Sequence, residues 1–334
     1  MDGSCLKFNK PIEDAISRIR FAPQSNNLLI SSWDSSLRLY DADCSLLRLE
    51  APSEAALLDC CFGHESAAFS AGSDGLIRRY DLHSGTFDTV GNHDDIATCI
   101  QYSNEKCEVI SAGLDKKLMS WDMRRANTLV FSRNLDAEVE SMSLSGFDLT
   151  VAIGSSINMY DLRNLDSPVQ SDESSFGVQI RCVFSVPYST ALRLHAGYAA
   201  GTVDGRVKLE MSYPSNSNHI DYVFRCHPKS KDGRYYLAPV NDIAFNPLIT
   251  GALVTGDNEG YVIAWDGKNR KRLFELPRFS KSVASVTYNR DGDLLAVASG
   301  YTYQEANETE EPPQISVHKM DDSYDRSVSA GNSR

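Results

Sequence analysis

The stretch from Ile30 to Asp41 reads Ile-Ser-Ser-Trp-Asp-Ser-Ser-Leu-Arg-Leu-Tyr-Asp and decides the fold of the chain. An apolar run stops at a polar turn from Ser31 to Ser36, and a second run alternates apolar and polar residues until it ends at Tyr40-Asp41. Two short runs around a tight polar turn predict a β-hairpin. Trp33 is unusual, because a large aromatic side chain stands in a turn that meets water.

This hairpin recurs along the chain with a fixed internal spacing. In each hairpin an acidic residue of the turn lies six positions before the aromatic residue near the end of the second strand, and in one unit Glu210 replaces the aromatic residue. The pairs are Asp34 and Tyr40, Asp74 and Tyr80, Asp115 and Trp121, Asp204 and Glu210, Glu259 and Trp265. The aspartates at positions 41, 81, 122 and 161 that close the first four units follow one another at 40, 41 and 39 residues. A period near 40 with a terminal aromatic-Asp pair is typical of the WD-repeat β-propeller.

Seven apolar segments precede these hairpins and predict the first strand of seven blades: Ile16–Phe21, Ala56–Phe62, Ile96–Tyr102, Val139–Leu144, Ile180–Phe184, Val240–Phe245 and Val283–Tyr288. The following strands are rich in small residues, as in Ser111-Ala112-Gly113, which we expect where strands converge near the propeller axis. We therefore predict an all-β, seven-bladed WD-repeat β-propeller over residues 1–320, closed by the N-terminal strand at Leu6–Phe8. Residues 321–334 are polar and without apolar periodicity, which predicts a disordered tail.

The alternative architecture is a pair of β-sandwiches, and it would need a linker near the middle of the chain. The candidate linker, Ser167 to Gly177, is better interpreted as a polar loop between blades.

Composition restricts the classes of function. Lys and Arg number 33 against 45 Asp and Glu, so the net charge is −12 and nucleic acid is not predicted as the main partner. No signal peptide is recognisable, and no apolar run approaches the roughly 18 residues of a membrane span. The eight cysteines lack paired C-x-x-C spacing, which indicates mostly buried free thiols and a reducing compartment.

No motif predicts an enzyme, a cofactor or a metal site. Phosphate-binding glycine loops, a G-x-S-x-G elbow and metal-binding histidine spacings are all missing from the sequence. The regularly spaced turn acids are interpreted as structural residues that hydrogen-bond the turn backbone: Asp34, Asp74, Asp115 and Asp204. In blade three we expect a network of four side chains: His93, Ser111, Asp115 and Trp121.

A propeller without catalytic groups usually acts as a rigid platform for peptides. The residue before each turn acid is expected on the exposed top face, which presents Trp33, Ser73, Leu114, Val203 and Asn258. Among these Trp33 and Leu114 are large and apolar, and tryptophan is enriched in binding hot spots.

A second candidate for peptide binding is a local excess of basic residues. Arg206, Lys208 and Arg225 lie in or near predicted strands, and Lys229, Lys231 and Arg234 follow them. Because the whole chain is acidic, this excess indicates an acidic or phosphorylated ligand.

From Ile12 to about Val317 the sequence resembles the mitotic-checkpoint propeller family of the budding-uninhibited-by-benzimidazole type. The most specific stretches are these: Ser32-Trp33-Asp34, Leu37–Asp41, Leu58-Asp59-Cys60, Glu173-Ser174-Ser175, Gln179–Cys182, Asp204–Val207, Phe224–His227, Pro239-Val240-Asn241 and Ala296–Tyr301. The Phe-Arg-Cys-His element is shared with the related RNA-export propeller of the nuclear pore.

The resemblance implies a non-enzymatic, monomeric adaptor of the spindle assembly checkpoint, located in the nucleus, at the kinetochore and in the cytoplasm. Its top face would bind GLEBS-type segments of checkpoint kinases or pseudokinases through residues matching Trp33 and Arg206. A residue matching Arg225 would bind a phosphorylated Met-Glu-Leu-Thr repeat of a kinetochore scaffold. Two departures stand out: Leu114 replaces a second tryptophan, and Leu248-Ile249-Thr250 stand where the family has a further basic residue.

Two alternative functions remain open at this point. One is an RNA-export propeller that binds a nucleoporin GLEBS segment and, weakly, RNA. The other is a substrate receptor of a ubiquitin ligase, because Asp122-Met123-Arg124 and Asp161-Leu162-Arg163 supply the Asp-x-Arg pair that such receptors use.

Overall fold

The computed structural model describes residues 3–8, 10–173, 177–187, 196–212, 220–226, 237–301 and 312–320. The elements in these ranges are 28 β-strands, and no helix among them is long and apolar enough to span a membrane. The predicted tail at residues 321–334 lies outside the described residues, as do Lys229, Lys231 and Arg234 of the basic segment.

The strands of the first half of the chain are β1 (Gly3–Cys5), β2 (Ile16–Phe21), β3 (Asn27–Ser32), β4 (Ser36–Asp41), β5 (Leu46–Pro52), β6 (Leu57–His64), β7 (Ala67–Gly72), β8 (Leu76–Asp81), β9 (Phe87–Asn92), β10 (Ala97–Ser103), β11 (Glu108–Gly113), β12 (Lys117–Asp122), β13 (Leu129–Asn134), β14 (Val139–Ser145), β15 (Asp148–Ile153), β16 (Ser156–Asp161) and β17 (Gln170–Glu173). Those of the second half are β18 (Ile180–Ser185), β19 (Ala196–Thr202), β20 (Arg206–Ser212), β21 (Ile220–Arg225), β22 (Val240–Phe245), β23 (Ala252–Asp257), β24 (Val262–Asp266), β25 (Lys271–Glu275), β26 (Val283–Tyr288), β27 (Leu294–Ser299) and β28 (Gln314–Lys319).

These strands form seven antiparallel sheets of four strands each. Six sheets take their strands in chain order, from β2–β5 as blade one to β22–β25 as blade six, and the seventh has the order β1-β28-β27-β26. The predicted seven-bladed propeller is therefore confirmed. Within the segment that was interpreted as a loop between blades, Gln170–Glu173 instead form β17, the outer strand of blade four, which pairs with β16.

The N-terminal strand closes the ring as predicted, but it begins earlier than the sequence indicated. Gly3–Cys5, and not Leu6–Phe8, pairs with β28. Leu6 follows the strand and its backbone N–H donates to the Ile315 carbonyl at 2.8 Å, while the Phe8 ring lies 5.3 Å from the Tyr40 ring. The apolar residues predicted as the strand thus pack into the core between blades seven and one.

The first strand of every blade lies innermost, because each contacts the first strand of the next blade around the whole ring. The small-residue second strands were expected near the axis, where strands converge, and the structure gives the closer reason for their small side chains. Those strands pack one layer further out, against the first strand of the following blade. At Gly201 of β19 a Cβ atom would lie 2.7 Å from Cys182 Sγ and 2.8 Å from Val240 Cβ. Small residues are needed there because neighbouring blades pack closely.

A charged network crosses the axis and joins distant blades. Arg18 of blade one places its Nε 3.2 Å from Asp59 Oδ1 of blade two and its Nη1 3.0 Å from Asp242 Oδ1 of blade six. Asp59 also accepts the Ile100 N–H of blade three at 2.9 Å, and Asp242 accepts the Val286 N–H of blade seven at 2.9 Å. Three side chains therefore tie together five of the seven blades.

The ionisation of Arg18 fits this arrangement. Burial alone lowers the pKa of its guanidinium, but the carboxylates of Asp242 and Asp59 outweigh burial and hold the pKa above its ordinary value. Both aspartates are almost fully buried, so their charges need the nearby guanidinium groups of Arg18 and, for Asp242, also of Arg20 at 4.0 Å.

We expect Asp242→Ala to lower the free energy of unfolding by about 3–5 kcal/mol, because it leaves the Arg18 charge under-compensated and removes the acceptor of the Val286 N–H. Urea denaturation followed by circular dichroism measures the change. Asp136→Ala, at an exposed side chain, is the control and should stay within about 0.5 kcal/mol of wild type. Equal stability of the two variants would contradict a structural role for the network.

Candidate functional site

The turns between the second and third strands lie at one end of the propeller, beside the starts of the first strands, and we call this end the top face. Trp33 N donates to the Ala15 carbonyl and Leu114 N to the Ile96 carbonyl, both at 2.9 Å. These bonds attach each turn to the segment that leads into the first strand of the same blade. Both side chains are half-buried.

In blades one and two the turn acid is fixed by an arginine of the third strand. Asp34 binds Arg38 through both carboxylate oxygens, at 2.8 and 3.2 Å, and it also accepts the Glu13 N–H at 3.2 Å. Asp74 forms the same kind of pair with Arg78. Burial raises the pKa of Asp34, but the hydrogen bonds from Arg38 and Ser36 outweigh it and hold the pKa below its ordinary value of 3.8.

In blade three the turn acid belongs to a chain of side-chain hydrogen bonds. His93 Nδ1 lies 3.0 Å from the Asp115 carboxylate, and its Nε2 lies 2.8 Å from Ser111 Oγ. Trp121 Nε1 donates to the same Ser111 Oγ at 2.8 Å. The four side chains therefore form one continuous network that anchors the turn to the blade.

A cavity of about 540 Å³ opens on the top face at the propeller axis. Trp33 and Leu114 stand in its wall on opposite sides of blade two, and Ser73 of blade two lies between them. The wall also includes Arg18 and Glu140, which no sequence motif indicated, and Tyr301, the last residue of the Ala296–Tyr301 stretch. The two apolar residues predicted on the top face are thus brought to a single concave surface.

Two arginines form a second cluster on the top face, at blade five. Arg206 and Arg225 are direct cross-strand partners in the β20–β21 pair. Arg206 Nε lies 2.7 Å from Asp204 Oδ2, and Arg225 Nη1 donates to the Asp204 carbonyl at 3.1 Å. Gly205 makes the turn possible, because its φ is +80° and a Cβ there would lie 2.8 Å from the Ala238 carbonyl. Asp204 therefore sets the position of both guanidinium groups.

Lys208, the third basic residue predicted to bind peptide, points into the fold. Its side chain is 7% exposed and forms ion pairs with Asp172 of blade four and, at 3.2 Å, with Glu210. The Tyr198 hydroxyl lies within hydrogen-bonding distance of both carboxylates, 3.0 Å from Asp172 Oδ2 and 2.9 Å from Glu210 Oε2. Lys208 thus joins blades four and five, and we leave it out of the candidate binding surface.

A family model described as WD domain, G-beta repeat, matches residues 3–41. The RRP9 WD40-repeat crystal structure matches with a TM-score of 0.80 at 14% identity, over 96% of this chain and 98% of that one, which shows a shared fold. The mitotic checkpoint protein BUB3.3 of Arabidopsis thaliana is 55% identical over 96% of this chain and all of its own length. The chain belongs to the BUB3 family of mitotic checkpoint WD-repeat proteins.

The family assignment confirms the resemblance read from the sequence. A second relative, the mitotic checkpoint protein BUB3.1 of the same plant, is 40% identical over 95% of this chain and 93% of its own. Both alignments cover nearly the whole propeller. The BUB3 family membership therefore rests on the complete ring of blades.

One of the two departures from the BUB3 pattern lies away from the top face. Strand β22 starts at the top, where Val240 pairs with Asp257, and it ends at the opposite face, where Phe245 pairs with Leu253. Leu248 follows that end and is 64% exposed. The position at which the family has a further basic residue therefore lies on the bottom face, away from the arginine pair. Leu114, the other departure, does stand in the top cavity.

The two Asp-x-Arg motifs also lie on the bottom face. Arg124 Nε donates to Asp122 Oδ1 at 2.8 Å, and Arg163 binds Asp161 in the same way. The Arg124 hydrogen bond lowers the pKa of Asp122 to about 2. In both motifs the arginine side chain remains largely exposed.

The lowered pKa values predict the acid dependence of stability. Asp34, Asp74 and Asp204 all have pKa values below the ordinary 3.8, so the unfolded chain binds more protons than the folded chain just below that pH. The free energy of unfolding should therefore fall as the pH is lowered from about 4 towards about 2. Urea midpoints measured across this range for wild type and Asp34→Asn should give a flatter curve for the variant, whereas parallel curves would contradict the assignment.

Proposed function

We propose that this BUB3-family propeller is a non-enzymatic adaptor of the spindle assembly checkpoint and binds peptide segments of partner proteins on its top face. The observation that carries the proposal is the presence, on one face, of an apolar-walled axial cavity and a pair of adjacent arginines. An extended peptide can use both at once, with apolar side chains at the axis and acidic side chains at blade five.

The cavity supplies the apolar contacts. Trp33 is half-buried and stands in the wall, so part of its ring is fixed by the fold while the rest can cover a ligand side chain. A held tryptophan loses little conformational freedom on binding, which is why this residue type is frequent in hot spots. Leu114 offers a smaller apolar surface on the other side of blade two.

The arginine pair supplies the charge. Like charges directly opposite across a strand pair repel each other, and Asp204 contacts both Arg206 and Arg225. A ligand carboxylate or phosphate would be attracted to two adjacent positive charges, and guanidinium groups bind both anions through two parallel hydrogen bonds. We assign Arg206 to the glutamates of a GLEBS-type segment and Arg225 to the phosphate of a phosphothreonine motif of a kinetochore scaffold.

These roles imply where the protein works. A propeller that holds a checkpoint kinase segment and a phosphorylated scaffold motif together would concentrate the kinase at the kinetochore. We therefore propose that it is found in the nucleus and cytoplasm and gathers at kinetochores during mitosis.

Two variants test the proposed roles of Arg206 and Arg225 separately. Arg206→Glu should weaken the binding of a synthetic GLEBS-type peptide by more than tenfold. The lost charge-assisted hydrogen bond is worth about 1.5–3 kcal/mol, and a tenfold change in affinity corresponds to about 1.4 kcal/mol. Arg225→Glu should weaken the binding of a phosphothreonine Met-Glu-Leu-Thr peptide by a similar factor and should affect the binding of the GLEBS-type peptide less. Isothermal titration calorimetry with each peptide measures both effects.

The matched control is Arg278→Glu, which reverses an exposed top-face charge that pairs with Glu259 in blade six. It should leave both affinities within about twofold of wild type, since charges on the rim contribute little. Equal losses of affinity in all three variants would mean that only the overall electrostatic field of the top face affects binding. Unchanged binding of the GLEBS-type peptide to Arg206→Glu would reject the site.

A further inference from the structure

The bottom face carries a concentrated basic segment that the proposed function does not use. Four of the five residues after Gly267 are basic: Lys268, Arg270, Lys271 and Arg272. They lie in the turn between β24 and β25 and at the start of β25, and we call Lys268–Arg272 the blade-six basic turn. Such a density of cations is unusual in a chain with a net charge of −12.

The blade-six basic turn is held in one conformation by Asp266. The backbone N–H groups of Lys268 and Asn269 both donate to Asp266 Oδ1 at 3.0 Å, and the Asn269 side chain donates to Asp266 Oδ2 at 2.7 Å. Arg270 has a φ of 55°, in the left-handed region. A partner that reads a basic peptide as an extended chain would have to break these bonds. The segment is therefore suited to act as a preformed surface that receives a ligand.

Blade five fixes the orientation of the central arginine. The Arg270 guanidinium lies over the Tyr222 ring, 4.3 Å from its centroid, and the Tyr222 hydroxyl donates to the Gly267 carbonyl at 2.7 Å. A guanidinium stacked on a ring keeps its N–H groups for partners in its own plane. Arg272 is partly neutralised by Glu275. Within the described ranges no carboxylate forms an ion pair with Arg270 or Lys271, and both side chains are exposed.

The neighbouring turn of blade six carries an exposed apolar residue. Leu248 is 64% exposed and belongs to the bottom turn that joins β22 to β23. That turn touches the basic one, because Gly267 N donates to the Gly251 carbonyl at 2.8 Å and a side chain at Gly251 would lie 3.1 Å from Lys268 Cγ. The surface thus combines cations with one apolar contact point.

We propose that the blade-six basic turn and Leu248 form a docking surface for a short acidic peptide that carries apolar residues among its carboxylates. The cations would bind the carboxylates, and Leu248 would cover an apolar side chain. A nucleic-acid duplex fits less well, because it needs a basic field wider than one turn of an acidic protein. This surface lies at the opposite end of the blades from the top cavity, so a second partner can bind while the top face is occupied.

The probe is a fluorescein-labelled peptide of sequence Glu-Asp-Leu-Glu-Glu-Leu-Asp-Glu, titrated with the full chain and followed by fluorescence anisotropy. It should bind at low salt and weaken as the salt rises, since exposed charges are screened within about 8 Å at 0.15 M. Lys271→Glu should weaken binding of the probe by about tenfold or more. Leu248→Ser should weaken binding of this peptide but leave unchanged the affinity for a peptide in which both leucines are replaced by serine.

The matched control is Arg79→Glu, which reverses an exposed strand arginine of blade two and should leave the affinity unchanged. The top-face variant Arg206→Glu should also leave it unchanged, so this proposal and the proposed checkpoint function fail separately. Absence of binding at low salt, or equal losses from Arg79→Glu and Lys271→Glu, would overturn the proposal. If single-stranded RNA or phosphatidylserine vesicles bind more tightly than the probe peptide, and Leu248→Ser does not change their binding, the proposal is overturned in favour of a general polyanion surface.

Discussion

The rest of the propeller depends on the charged network in which Arg18 bridges Asp59 and Asp242 across the axis. Neighbouring blades are joined by apolar packing, which any pair of adjacent sheets can supply. Arg18 instead joins blade one to blade six, which is not its neighbour, and its two carboxylate partners also satisfy backbone N–H groups of blades three and seven. Because these charges are buried, they favour one arrangement of the ring over others in which a charge would lack its partner.

The same residue connects the closure of the ring to the candidate site. Arg18 stands in the wall of the top cavity together with Trp33 and Leu114. A ligand at the axis therefore meets a surface that the ring itself holds rigid, and little conformational freedom has to be lost when it binds. The arginine pair of blade five is held in a comparable way by Asp204, and Lys208 fixes its strand to blade four. The adaptor role proposed for the top face thus rests on side chains that the fold has already positioned.

Local features of the fold could be predicted from the sequence because they arise from local physics. The apolar first strands, the turn acids and the closing aspartates each depend on residues a few positions apart, and the strands Ile16–Phe21, Val240–Phe245 and Val283–Tyr288 have the predicted bounds. The order of strands from the axis outwards was not predictable in this way, since an innermost strand and its neighbour both read as short buried runs. Small residues reflect close blade packing, as at Gly201.

Contacts between distant residues account for what the sequence did not indicate. Arg18 is separated from its two carboxylate partners by 41 and 224 residues, and no local pattern marks them as a set. The burial of Lys208 depends on Asp172 of another blade, so Lys208 looked as accessible as Arg206 two residues earlier. The position of Leu248 after the Phe245-Asn246-Pro247 turn does not say which face it occupies, and only the direction of β22 places it on the face opposite Arg225.

Imaging during mitosis tests the proposal that this BUB3-family chain acts at kinetochores through its top face. Fluorescently tagged wild type and Trp33→Ala should be followed from nuclear-envelope breakdown to anaphase in cells with unattached kinetochores. We expect kinetochore foci for wild type and a diffuse signal for Trp33→Ala at equal abundance. A wild-type protein that never gathers at kinetochores, or a Trp33→Ala variant that gathers as strongly, would contradict it.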